Sequence, residues 1–92
     1  MDAPIRTLAW DEQADALLLL DQTRLPESAV TIACPDVDSL IDAIQRLVVR
    51  GAPALGAAGA YGVVLALVQQ AREGWDHEYL LAQIDRIRRA RP

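Results

Sequence analysis

The stretch GAPALGAAGAYGVVLALVQQA, residues 51–71, is the longest part of this 92-residue chain without a charged side chain. Its length approaches that of a membrane-spanning helix, since about 20 apolar residues cross a bilayer. However, Ala and Gly dominate its first half, and they contribute little insertion energy compared with Leu or Ile. Pro53 lies near its start, and Gln69 and Gln70 lie near its end. We therefore expect a buried core helix and no association with a membrane.

An amphipathic segment precedes this central helix. Apolar residues recur at helical spacing over residues 37–48, with polar residues on the other side. Asp36 stands where its carboxylate can cap the first turn. The pattern predicts a helix that ends near Arg50, where Gly51 can adopt the left-handed conformation that terminates helices.

The central helix and a third helix follow the same local rules. Pro53 suits the first turn of the central helix, because a missing N–H costs nothing there. The helix should run to Glu73, with Gly74 as the stop. Asp76 is a good N-cap for a third helix, which ends in an arginine cluster that complements the helix dipole. The cluster consists of Arg86, Arg88, Arg89 and Arg91.

The first third of the chain has the character of a small sheet. Residues 5–10 alternate apolar and polar, 16–25 begin with a continuous apolar run, and 29–33 are rich in β-branched residues. These segments predict three strands joined by tight turns. The expected fold class is α+β, a small three-stranded antiparallel sheet followed by a three-helix layer. We expect one domain over residues 1–92, with the sheet in about 1–35 and the helices in 36–92.

Composition narrows the classes of function. The net charge of −4 is unsuited to nucleic acid, because duplex binding needs a basic surface. Cys34 is the only cysteine, which excludes an intrachain disulfide and a cysteine-based metal cluster. The N-terminus lacks the features of a signal peptide, so we expect a cytoplasmic protein. The apolar fraction of 52% is slightly high, which indicates a surface covered by a further domain or a subunit.

Three glycines lie within the predicted central helix, at Gly56, Gly59 and Gly62. Each costs about 1 kcal/mol relative to alanine in a helix interior. Either a neighbouring helix approaches closely at these positions, or the backbone must approach a ligand. The sequence alone leaves both explanations open.

The start of the central helix is a candidate phosphate site. A helix N-terminus presents unpaired N–H groups and a partial positive charge, which together attract phosphate. Arg50 precedes it, and a guanidinium can bind two phosphate oxygens at once. Gly51 and Ala52 have almost no side chain and leave the amides accessible. The alternative is a capping turn with an exposed arginine.

Three stretches of the sequence resemble the methylthioribose-1-phosphate isomerases. They are LLLLDQTRLP at 17–26, AIQRLVVRGAPALGAAGAYG at 43–62 and the terminal RARP. This family is related to regulatory subunits of translation initiation factor 2B and to ribose-1,5-bisphosphate isomerases. The DQTRLP segment favours the isomerase branch.

The resemblance implies a two-domain enzyme in which this chain is the N-terminal domain and a Rossmann-like C-terminal domain is absent. It implies substrate binding by Arg50, Gly51 and Ala52, and by Arg91, although the chain ends before the motif of Arg91 is complete. The family's catalytic cysteine and aspartate would lie beyond residue 92. No metal or organic cofactor is implied, and the full-length protein would be a homodimer.

The function so implied is conversion of 5-methylthioribose 1-phosphate to 5-methylthioribulose 1-phosphate in methionine salvage. This chain would be the phosphate-binding part of that enzyme, and it would be inactive by itself. Two alternatives remain within the family: a regulatory domain of the initiation factor 2B type, and a domain like that of ribose-1,5-bisphosphate isomerase. A helical binding domain with no ligand is a further alternative.

Three other residues are candidates for chemistry but have simpler explanations. Cys34 does not match the catalytic cysteine of the family and is expected to be a small, partly buried apolar residue. His77 follows a helix cap and is expected to be solvated. Asp21 follows four leucines, so it should be partly buried and hydrogen-bonded to nearby backbone; contact with a substrate hydroxyl is the alternative.

Overall fold

The structure, a computed structural model, describes residues 8–46, residue 48 and residues 52–90. Within these residues three strands precede three α-helices, which confirms the α+β class. The strands are β1 (Leu8–Asp11), β2 (Ala16–Leu20) and β3 (Thr31–Cys34), and the helices are α1 (Val37–Gln45), α2 (Ala52–Glu73) and α3 (His77–Arg89).

The sheet is antiparallel in the order β1-β2-β3, with the leucine-rich β2 in the middle. Leu19 of β2 lies opposite Leu8 of β1 and Ile32 of β3. Leu17 and Leu19 are completely buried, because side chains two residues apart share the face that packs on the helices. The turn between β1 and β2 is held by Asp11, whose carboxylate accepts hydrogen bonds from the amides of two turn residues.

The strands differ from the predicted ranges. The first extends to Asp11, and the predicted residues 5–7 lie outside the described part of the chain. The prediction of a strand over 16–25 was too long. Strand β2 ends at Leu20, because the carboxylate of Asp21 accepts a hydrogen bond from the amide of Thr23 and caps a short 3-10 helix. The third strand is shifted from 29–33 to Thr31–Cys34.

Helix α1 begins as predicted but ends early. The carboxylate of Asp36 accepts from the amide of Ser39 at 2.8 Å, which confirms the N-cap. The helix ends at Gln45 rather than near Arg50. Val48 explains the difference: its amide donates back to the carbonyl of Ala43, while its side chain is fully buried. The backbone therefore leaves the helical conformation before Val48, so that this side chain is buried in the core.

Helices α2 and α3 are joined by the predicted stop and cap. Helix α2 begins at Ala52, which places Pro53 in its first turn as predicted, and it ends at Glu73. Gly74 follows at φ 73°, a conformation in which glycine carries no steric cost. Asp76 then caps α3 by accepting from the amide of Tyr79 at 2.7 Å.

Helix α2 is buried on one side only, so the prediction of a buried core helix was wrong for its other side. Its inner side contributes Ala58, Leu65 and Ala66 to the core, packed against the sheet and the other two helices. Only 22% of the most apolar 18-residue stretch within Pro53–Glu73 is buried. By length and composition alone this helix could cross a membrane, with a mean hydropathy of 1.4. Its packing against β1, β2, α1 and α3 favours a helix of a globular domain.

The glycines of α2 have different surroundings. A Cβ built on Gly62 would lie 2.9 Å from Cδ2 of Leu40 and 3.0 Å from Cγ2 of Ile87. Close approach of neighbouring helices therefore explains Gly62. A Cβ built on Gly56 would meet no atom within 4 Å, so packing within the described residues does not explain this glycine.

Candidate functional site

The start of α2 is the candidate site, and the structure describes it from Ala52 onward. The first turn of any α-helix has amides without partners inside the helix, and the dipole adds a partial positive charge there. Ala52 is the first helical residue and Pro53, which has no N–H, is the second. The helix start for which the sequence predicts a phosphate site therefore lies at Ala52 and Pro53, and phosphate binding there stays a prediction.

The other predicted substrate-binding residues lie outside the described part of the chain. Arg50 and Gly51 immediately precede Ala52, and Arg91 follows the last described residue of the α3 terminus. Their roles remain predictions from the sequence and the resemblance.

Two segments that carry the resemblance are adjacent in the structure. The turn that follows β2 begins with Asp21, Gln22 and Thr23, and we call it the DQT turn. It lies against Val48, whose carbonyl accepts a hydrogen bond from the amide of Gln22 at 2.9 Å. Val48 precedes Arg50 by two positions in the sequence. The turn therefore holds Val48, the described residue between α1 and α2 that lies nearest to Arg50 in the sequence. Sequence reasoning identified both segments but not this contact between them.

Asp21 organises the DQT turn. Its residue is only 4% exposed, and its carboxylate accepts hydrogen bonds from both the amide and the hydroxyl of Thr23. The hydroxyl donor is the main reason why the pKa of Asp21 lies below the ordinary carboxyl value. Burial opposes this decrease in pKa, and Arg24, 3.9 Å away, adds to it. The predicted structural hydrogen bond to nearby backbone is confirmed.

A largely apolar groove runs beside the first half of α2. Its volume is about 300 Å³, and α2 lines it mainly with small residues, while α1 and α3 add larger ones. The lining comprises Ile44, Leu55, Gly56, Gly59, Ala60, Val63, Ile84, Ile87 and Arg88. Gly56 and Gly59 thus belong to a concave surface near the candidate phosphate site. That position leaves room for the second explanation of these two glycines, an approach of another group to the backbone.

The described arginines of the cluster at the end of α3 are paired with carboxylates. Arg88 and Arg89 both contact Asp85, at 2.6 Å and 2.8 Å, and Arg86 reaches Asp38 of α1 at 2.9 Å. These arginine side chains are 48–79% exposed, so the pairs contribute little to stability. The pairing also partly neutralises the positive charge of this cluster.

Cys34 and His77 are not part of the site. Cys34 is completely buried in β3, and burial raises the pKa of its thiol to about 11. A thiol in this state is a poor nucleophile, which agrees with the apolar role expected for it. His77 is exposed at the start of α3, as expected.

Gln69 has a structural role that sequence reasoning missed. Its side-chain oxygen accepts from the amide of Val37 at 3.0 Å and so caps the first turn of α1 across 32 residues of sequence. The guanidinium of Arg72 donates to the carbonyl of Pro35 nearby, at 3.2 Å. Local patterns carry no signal for such contacts, because the partners meet only when α1 and α2 pack together.

Comparison with known proteins finds sequences similar to this chain among the methylthioribose-1-phosphate isomerases. No family model matches the chain. The methylthioribose-1-phosphate isomerase of Alkalilimnicola ehrlichii is 48% identical over 90 residues, which cover 96% of this chain and 25% of that enzyme. The chain spans a quarter or less of the length of the curated relatives it matches, 15% to 25%.

Two solved structures have the same fold. The translation initiation factor eIF-2B subunit delta from A. fulgidus matches 97% of this chain and 26% of its own, at 43% identity and a TM-score of 0.76. The 5-methylthioribose 1-phosphate isomerase from Pyrococcus horikoshii matches 92% of this chain and 23% of its own, at 25% identity and a TM-score of 0.73. The resemblance drawn from the sequence motifs is thus confirmed.

Proposed function

Because this chain is homologous to methylthioribose-1-phosphate isomerases over about a quarter of their length, we propose that it is the phosphate-binding part of such an isomerase. The observation that carries the proposal is the 48% identity to the A. ehrlichii enzyme, which extends over 96% of this chain. The substrate would be 5-methylthioribose 1-phosphate and the product 5-methylthioribulose 1-phosphate. The reaction would be a cytoplasmic step of methionine salvage, with no metal or organic cofactor.

The start of α2 would hold the phosphate. Its amides and dipole favour an anion, and Arg50 would add a two-point contact to phosphate oxygens. Gly51 and Ala52 would leave the amides open to the ligand, and Arg91 would make a second contact. The DQT turn, through the hydrogen bond between Gln22 and Val48, supports this arrangement by holding the chain just ahead of Arg50.

These residues would bind and orient the substrate rather than transfer protons. The phosphate sits on the anomeric oxygen of the aldose, so the sugar cannot simply open to a free aldehyde. Ring opening and hydrogen transfer from C2 to C1 require an acid and a base. The resemblance assigns these to a cysteine and an aspartate in the remaining part of the full-length enzyme, which would be a homodimer. Correct orientation of a bound substrate is itself a large part of catalysis.

A chimeric isomerase tests the proposal. In it, this chain replaces the matching 90 residues of the A. ehrlichii enzyme. We expect turnover of 5-methylthioribose 1-phosphate by the chimera and none by the 92-residue chain. Arg50→Ala should lower kcat/KM more than tenfold, because a charge-assisted hydrogen bond contributes about 1.5–3 kcal/mol.

Arg46→Ala is the matched control. Arg46 is exposed, four positions before Arg50, and its guanidinium pairs with Asp42 at 2.8 Å. Its removal should leave kcat/KM within about twofold, since exposed pairs contribute little. Unchanged KM and kcat in Arg50→Ala would remove Arg50 from the site.

A regulatory role is the second candidate, favoured by the 43% identity to the initiation factor subunit. The candidate phosphate site at the start of α2 would then bind a sugar phosphate or a nucleotide without supporting turnover. A chimera that is folded and binds the sugar phosphate, but does not convert it, would favour this candidate over the isomerase.

A further inference from the structure

The DQT turn links the sheet to the segment that follows α1. Its first two amides donate to different parts of the chain. The amide of Asp21 donates to the carbonyl of Val30 at 2.7 Å, which holds the turn beside the start of β3. The amide of Gln22 donates to the carbonyl of Val48 at 2.9 Å. The turn therefore fixes Val48, which is fully buried, relative to the sheet.

The direction of the Gln22 amide depends on the backbone of Asp21. A planar peptide group joins the two residues and carries this N–H, so the ψ angle of Asp21, 102°, sets its orientation. The carboxylate of Asp21 holds the turn in this conformation by accepting from the amide and the hydroxyl of Thr23, at 2.9 Å and 2.5 Å. Loss of the hydroxyl donor would therefore loosen the N–H that holds Val48.

Burial distinguishes Asp21 from an ordinary turn aspartate. Asp11 accepts from two amides in the turn between β1 and β2, where it is half-buried, whereas Asp21 is only 4% exposed. A buried carboxylate costs free energy unless its oxygens are hydrogen-bonded. Buried polar networks whose members are all satisfied favour one rigid arrangement. The bonds between Asp21 and Thr23 thus keep the DQT turn in a single conformation.

Val48 links this turn to the candidate phosphate site. Arg50 is two positions beyond it, and covalent geometry keeps the Cα atoms of the two residues within about 7 Å of each other. Ala52, where α2 begins, is two positions further on. A guanidinium binds two phosphate oxygens only in the correct orientation, and a displacement of about 1 Å in such a contact is enough to reduce catalysis.

We propose that Asp21 and Thr23 are positioning residues for the contact between Arg50 and the substrate phosphate. Their side chains hold the amide of Gln22 against Val48, and Val48 limits where Arg50 can lie. Neither side chain touches the substrate. This proposal rests on the proposed function for the role of Arg50. In the alternative, the turn stabilises the fold and has no effect on binding.

Thr23→Val tests the proposal in the chimera. It removes the hydroxyl donor and keeps the shape of an exposed side chain. We expect KM to rise about fivefold with kcat within about twofold, because the phosphate contact is made in both the ground state and the transition state. The Ki of inorganic phosphate as a competitive inhibitor should rise by the same factor. Thr23→Ser keeps the hydroxyl and should leave both constants within about twofold of the wild type.

Ser39→Ala is the matched control. The hydroxyl and the amide of Ser39 both donate to the carboxylate of Asp36, at 2.5 Å and 2.8 Å, so the same kind of bond is lost. This cap lies at the other end of α2, because the neighbouring amide of Val37 donates to Gln69, about 25 Å along the helix from Ala52. KM and the Ki of phosphate should therefore stay within about twofold.

A double-mutant cycle shows whether Thr23 acts through Arg50. In an Arg50→Ala background, Thr23→Val should change KM less than about twofold, because the contact that it positions is already absent. An equal rise of KM in both backgrounds would overturn the proposal. Unchanged KM and Ki in Thr23→Val would also overturn it, as would an equal rise in Ser39→Ala, which would mark a general effect of stability.

The kinetic constants are measured well below the Tm of each variant, so that they describe folded protein. Unchanged KM and kcat in Arg50→Ala would contradict both the phosphate site and the positioning proposal. Impaired Arg50→Ala with normal Thr23→Val would contradict the positioning proposal alone. If the chimera does not fold, the same substitutions are made at the aligned positions of the A. ehrlichii isomerase, where the same outcomes decide.

Discussion

Two alanine substitutions in the same helix should change stability in opposite directions. Gly56→Ala and Gly62→Ala make the same chemical change in α2, and each gains about 1 kcal/mol from helix propensity. Their surroundings differ, because a Cβ at position 56 enters open space whereas one at position 62 meets Leu40 and Ile87 at 2.9–3.2 Å. Comparison of the two variants therefore separates the effect of side-chain packing on stability from the effect of helix propensity.

The magnitudes follow from these contacts. Gly56→Ala should stabilise the isolated chain by about 1 kcal/mol. At Gly62 the added methyl group overpacks the core, which costs about 1–3 kcal/mol and exceeds the gain in propensity. Leu40 and Ile87 are 0% and 3% exposed, so their methyl groups have little room to move. The net change should be a loss of about 1 kcal/mol, which separates the two variants by about 2 kcal/mol.

Urea denaturation followed by circular dichroism measures this difference directly. In a domain of this size, 2 kcal/mol corresponds to a difference in Tm of about 8–16 °C. The m-value should be unchanged, since neither variant alters the surface exposed on unfolding. A Gly62→Ala protein as stable as Gly56→Ala would refute the close packing of α1 and α3 against α2.

Two further predictions concern the ionisable groups. Because the pKa of Asp21 is lowered in the folded protein, its charged form stabilises the fold above the unfolded pKa of about 3.9, and this contribution is lost as the pH falls through the folded pKa. Asp21→Asn should therefore be less stable than the wild type at pH 7, with the difference shrinking below about pH 3.9; a deficit independent of pH would contradict the hydrogen-bonding scheme. Cys34, buried and with a thiol pKa of about 11, should react with iodoacetamide at pH 8 only as fast as the chain unfolds, and rapid labelling of the native protein would show that the thiol is accessible.

The local sequence was sufficient to predict the elements whose causes are local. Asp36 and Asp76 cap helices because their carboxylates reach amides three residues ahead. Gly74 ends α2 because glycine adopts a positive φ without steric cost. The α+β class and the order of the elements follow from such signals and from the periodicity of apolar residues. The start of α2 follows from the same kind of signal, whereas phosphate binding there stays a prediction.

Tertiary contacts decided the features that local patterns do not encode. Burial of Val48, whose carbonyl accepts from Gln22, ends α1 at Gln45 although the apolar periodicity continues. Helix α2 has no charged residue from Ala52 to Ala71, so its sequence could not indicate which side would face the core. Only the packing of α1 and α3 shows that Gly62 serves close contact and that Gly56 does not. The physical reason is range: caps and turns depend on neighbours along the chain, whereas burial depends on residues that meet only after folding.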